Sequence, residues 1–180
     1  MIDPMFPGME FPAGVDPLDY MLQLPVWPPP PGADTIMTTN GPYQVWYVVT
    51  AVLCIILPSC FLGLLVYTRL AIAAFLEAAD YCLFSAYALI VSQIVLGYCM
   101  VRWGSGVHQW QITAGELVHQ MFWANLGAVV YCPLMFFIKT SILLQYIKLF
   151  APHRSLNRVV WYGAWGTIGA CFIAYMTFMF

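Results

Sequence analysis

Few residues of this chain carry groups that can do more than pack. Charged side chains make up 8% of its 180 residues and hydrophobic ones 62%. Lys139 is the most conspicuous of the charges, because it interrupts a charge-free run that starts at Leu117. Ionisable groups at membrane depth are expensive and are functional suspects by default, so Lys139 is a candidate partner for Asp80 or for a ligand. The preferred reading is plainer: Lys139 lies near a membrane boundary and its stem lets the ammonium snorkel into the headgroups.

His108 and His119 invite a metal reading, but their spacing and the lack of carboxylate partners match no ligand set. The segment Gly104-Ser-Gly106-Val-His108 with Trp110 reads instead as a compact loop. Its glycines permit positive φ, and His108 and Trp110 pack or hydrogen-bond at the outer membrane face. Cys54, Cys60, Cys82, Cys99, Cys132 and Cys171 all fall in apolar segments without a CxxC pair, as small buried hydrophobes do. No phosphate loop, nucleophile elbow, H-E-x-x-H motif or pair of catalytic carboxylates is present, so no enzyme, metal site or cofactor is expected. Six basic residues against eight acidic ones leave no stripe for nucleic acid.

The elements that hold these residues follow from the scarcity of charge. Soluble proteins are about 25% charged, so this chain is solvated by lipid and should be all-α. Four runs are long enough to cross a hydrocarbon layer of about 30 Å, at about 45–67, 79–101, 116–149 and 158–180. Pro58 should kink the first, and the third is so long that it must tilt or kink, with Pro133 inside it. Asp80 stands at the entrance of the second, where the helix dipole favours an anion and water is within reach. Thr113-Ala-Gly-Glu116 has the spacing of a capping box that opens the third. Ser85, Ser92, Gln93 and Asn125 lie inside spans and are read as interhelical hydrogen-bonding groups in preference to substrate ligands. Gly166, Ala170 and Ala174 put small residues at every fourth position of the last span and mark a helix contact.

Residues 1–42 hold most of the prolines and no Lys or Arg, so they read as a solvated, mostly irregular tail. Met5, Phe6, Met9, Phe11 and Trp27 in this tail could touch the membrane surface. The tail lacks a cleavable signal peptide's basic start, so the first span must target the chain itself. Residues 43–180 form the transmembrane domain. Arg69 lies in the first loop and Lys148, Arg154 and Arg158 in the third, against Arg102 alone in the second, which places the tail outside or in the lumen. Topology and anionic lipid already account for those positive charges, although a cytoplasmic signalling partner could use them. A multi-pass protein of the plasma membrane or an endomembrane is expected. The last apolar run stops at Phe180 with no polar segment after it, which reads as the front part of something longer.

The run Ile138-Lys139-Thr-Ser141-Ile-Leu-Leu-Gln-Tyr146-Ile-Lys148-Leu-Phe150 resembles the third-helix signature of the fungal rhodopsin-like domain family, seven-span membrane proteins. Three more matches follow the family's order: Tyr67-Thr-Arg69 at the close of the first span, the Gly104 to Trp110 loop, and Ile112-Thr-Ala-Gly-Glu116-Leu. The resemblance implies that these are the first four helices of a seven-helix bundle. Relatives often pair two aspartates at the start of the second span, where this chain has Ala79-Asp80, which puts any role needing both carboxylates in doubt. Some relatives carry a cysteine-rich CFEM module outside, whereas this tail has no cysteine.

The resemblance implies a receptor-like sensor of an unknown ligand, since some relatives are linked to surface sensing. Others are encoded in secondary-metabolite clusters, so the alternative is an accessory membrane protein that handles or transports a hydrophobic product. A truncated, non-functional fragment is a third reading. The family name does not imply retinal, whose Schiff base needs a lysine on a late helix outside these four spans.

Overall fold

The uncharged runs fold as helices because, in lipid, a helix satisfies its backbone donors and acceptors internally. The computed structural model describes residues 16–32, 36–73, 75–150 and 158–179. It contains α1 (Pro17–Gln23), α2 (Gln44–Thr68), a π-helical turn (Arg69–Ala73), α3 (Ala78–Arg102), α4 (Ala114–Phe150) and α5 (Arg158–Met179). Four helices, Gln44–Ala71 with the first three residues of the π turn, Ala78–Arg102, Ala114–Phe150 and Arg158–Met179, are long and apolar enough to cross a membrane. No strand occurs among the described residues; a single bridge pairs Pro25 with Thr113. Both internal prolines, Pro58 and Pro133, lie within continuous helices.

What is buried and what is not is inverted relative to a water-soluble fold. The buried apolar residues among those described are Ala79, Ala86, Ile112, Leu134 and Ala164, and the buried polar ones are Asp80 and Ser141. Large apolar side chains such as Leu53, Phe61, Leu64, Phe122 and Ile173 are each more than half exposed. Lipid solvates such side chains as well as a protein core would, so helices in a bilayer bury small and polar residues against one another.

The chain divides into two compact units, residues Met1–Val48 with Gly97–Ala124 and residues Val49–Leu96 with Asn125–Phe180. In the first unit, part of the Pro-rich segment is ordered against the loop between α3 and α4. The amide of Val26 donates to Ile112, that of Thr38 to Gln111, and that of Ala114 to Leu24, at 2.9–3.2 Å. The Gln44 amide nitrogen donates to the carbonyls of Thr39 and Val101, which joins the start of α2 to the end of α3. A Cβ at Gly97 would collide with the Tyr47 ring, so glycine lets these two helices approach closely. Met5, Phe6, Met9, Phe11 and Arg154 lie outside the described residues.

In the second unit, α5 packs through Ala164, flanked by the half-buried Trp161 and Ile168. The face with Gly166, Ala170 and Ala174 is exposed, and nothing comes within 4 Å of a Cβ at Gly166. Among the described residues, the small-residue spacing therefore does not mark the contact face. Ser85 and Ser92 also depart from expectation, because each hydroxyl donates to the carbonyl four residues back in its own helix. Two hydrogen bonds that do join helices in this unit are those of Ser59 with Tyr87 and of Ser141 with the Ala79 carbonyl.

Candidate functional site

The polar residues of the second unit converge where α2, α3 and α4 meet. The π turn follows α2 directly and begins at Arg69, so this arginine leaves the helical register at the end of an apolar span. Its Nε lies 3.0 Å from Asp80 Oδ2, and its Nη2 donates to Oδ1 at 3.3 Å, a two-point fork on the carboxylate. Nη1 donates to Glu77 Oε1 at 3.2 Å. Lys148, in the last turn of α4, also pairs with Glu77 Oε1.

Asp80 was expected at a span entrance within reach of water, but it is 0% exposed. Arg69 replaces the water. The buried carboxylate also accepts the Glu77 amide at 2.9 Å, while the Asp80 amide donates to the Glu77 carbonyl. Asp80 thus performs the third-residue half of a capping box at the start of α3, a position where the helix dipole adds to the stabilisation of an anion. Lys139 takes no part in this, so the expected alternative of a Lys139 to Asp80 pair is not formed. Its ammonium lies 5.1 Å from the centroid of the Tyr175 ring on α5.

Two side chains complete the junction. Ser141, only 2% exposed, donates to the Ala79 carbonyl at 2.9 Å and pins α4 against the first turn of α3. Ala79, which stands where relatives often have a second aspartate, is itself buried and contributes that carbonyl. Glu77 is the residue that the sequence reading passed over. It accepts from two cations, and the hydrogen bond from Lys148 foremost, helped by the charge of Arg69, holds its carboxyl below the ordinary glutamate range. Desolvation opposes this shift without cancelling it. Glu77 follows Arg69 by eight positions in the sequence, but its link to Lys148 spans 71. Tyr146 and Phe150 stack on each other at 5.4 Å on the last turns of α4.

The remaining motif residues build the α3–α4 loop. Gly104 and Gly106 have φ of +88° and +89°, where side chains other than glycine are strained. At Gly104 a Cβ would also come within 2.7 Å of Ile112 Cγ2. The His108 ring stacks on Trp110 with centroids 4.3 Å apart, and His119 stacks on Trp103 at the same distance. Both histidines are thereby engaged with indoles. Thr113 and Glu116 form the reciprocal box: the Thr113 amide donates to Glu116 Oε2 at 2.9 Å, and the Glu116 amide to Thr113 Oγ1 at 3.3 Å.

Residues 64–180 match the fungal rhodopsin domain. The chain belongs to the fungal rhodopsin-like family. No curated protein and no solved structure matches it. The matched stretch of this rhodopsin-like protein begins one turn before Arg69 and contains the whole α2–α3–α4 junction, the glycine loop and the capping box. The Pro-rich segment lies before it.

Proposed function

We propose that this rhodopsin-like membrane protein is a receptor-like sensor whose tail faces the outside or the lumen. The loops that follow Thr68 and Phe150 then face the cytoplasm, as the excess of Lys and Arg in them favours. The observation that carries the reading is the buried Arg69 to Asp80 fork with its Glu77 to Lys148 extension. It ties the ends of two spans to the start of a third through charges rather than through interchangeable apolar contacts. Its inner part is buried and its outer part reaches solvent, so α4 can separate from Glu77 while Arg69 still holds Asp80. A sensor needs such an element with two arrangements, which a ligand biases by binding one better than the other.

The test compares a deletion strain complemented with the wild-type chain, with Glu77→Gln, or with Lys148→Met. The sensor reading expects both variants to be expressed at wild-type levels and to alter the response to external cues in the same direction, Glu77→Gln the more strongly because it also loses the charge that Arg69 meets. A deletion that changes secondary-metabolite output while leaving every surface response intact would replace the sensor with a pathway accessory protein.

A further inference from the structure

The second unit contains a cation, Lys139, with no carboxylate partner among the described residues. Residues 49–96 and 125–180 hold two acids, Glu77 and Asp80, and both are committed to Arg69 and Lys148. Lys139 lies nine residues before Lys148 on α4, about 14 Å further into the span at 1.5 Å per residue. Its described partner is Tyr175, a neutral phenol that meets the ammonium with its ring and accepts a hydrogen bond from it. An ammonium on a spanning helix whose described partners are neutral favours the arrival of an anion.

An apolar groove lies beside it. Pro133, Phe136 and Phe137 of α4 and Phe172, Tyr175 and Met176 of α5 line a space of about 190 Å³. Phe136 and Lys139 are three residues apart and share a face of α4, and Tyr175 belongs both to the groove wall and to the contact with the ammonium. Phe136 meets Phe172 edge-on at 5.6 Å across the two helices. The volume is of the order of the apolar cavities of about 150 Å³ that take up benzene. It has room for one ring or a short aliphatic segment.

We infer that the α4–α5 groove binds a lipid-soluble carboxylic acid, with the ring or alkyl part among Phe136, Phe172 and Met176 and the carboxylate on Lys139. This inference rests on the sensor reading and names the chemical class of its ligand. The acid reaches the groove from the bilayer, and its carboxylate supplies the charge that Lys139 lacks. A neutral analogue of equal size would fill the same space and leave the ammonium as it was.

The test uses the full chain in nanodiscs of zwitterionic lipid, with empty discs as the background. Saturable binding of 4-phenylbutyrate, 2-naphthoate and decanoate is compared with that of the corresponding alcohols. At least one acid should bind ten or more times tighter than its alcohol. Lys139→Met should abolish that preference and Lys139→Arg should keep it within about threefold. Met176→Trp, which fills the groove and leaves Lys139 in place, should remove binding altogether. No saturable binding by any of the three acids, equal binding of acid and alcohol, or an acid preference that survives Lys139→Met would overturn the site. Acid binding that passes these criteria but leaves the cellular response unchanged would count against the sensor and leave the site standing.

Discussion

Replacing Arg69 by Met removes the guanidinium and keeps most of the stem, so packing at the end of α2 changes little while Asp80 loses its counter-ion. The Asp80 side chain is wholly buried and would retain one partner, the Glu77 amide. Breaking a buried pair by removing one member costs about 3–5 kcal/mol, because the surviving charge stays desolvated. The loss should fall toward the lower end of that range, since the amide bond and the helix dipole still favour the anion. Lys148→Met opens the outer pair instead, where the lysine side chain is 57% exposed, so its effect on stability should be much smaller and should shrink with added salt. Equilibrium unfolding of the purified protein in bilayer discs measures both variants against wild type. Equal losses for the two variants, or an Arg69→Met loss below about 1 kcal/mol, would refute the claim that the buried fork dominates the junction.

Three further outcomes follow from the same geometry. The Glu77 carboxyl is held below its ordinary value, so its contribution is complete above about pH 4.3 and fades as pH falls through the lower folded value. The stability gap between wild type and Glu77→Gln should therefore be flat near neutrality and close in acid, and a gap that widens on acidification would contradict the pairing. Thr113→Ala should cost about 1 kcal/mol by removing a helix cap, and Thr113→Ser should restore most of it in the same unfolding assay. Gly104→Ala should destabilise the α3–α4 loop more than Gly106→Ala, as read by limited proteolysis. Both force alanine to a positive φ, but only the Gly104 Cβ would also strike Ile112.

Sequence made some of these features legible and hid others, for separable physical reasons. The four apolar helices were legible because hydrocarbon selects uncharged segments of a set length, and the Thr113 to Glu116 box because its four residues are contiguous. The positive φ at Gly104 and Gly106 belongs to the same local class. Asp80 was misjudged because a span entrance looks wet in one dimension; its burial depends on Arg69 folding back across a π turn and on α4 covering Ala79. The face of α5 that packs was not legible, since lipid and protein accept the same apolar residues. The serines of α3 were misjudged because a hydroxyl in a helix finds its own carbonyl four residues back before it finds a neighbour. Glu77 was passed over because one of its two partners is distant in sequence.

Glycosylation mapping tests the spanning arrangement and the proposed orientation together. Acceptor sites engineered with long flexible spacers into 105–109, and separately beside 75–76, report which segments reach the lumen during membrane insertion. Modification of the first site alone is the predicted result. Modification of both would mean that α3 does not cross the membrane, and modification of the second alone would place the Arg69 to Asp80 junction on the outer side.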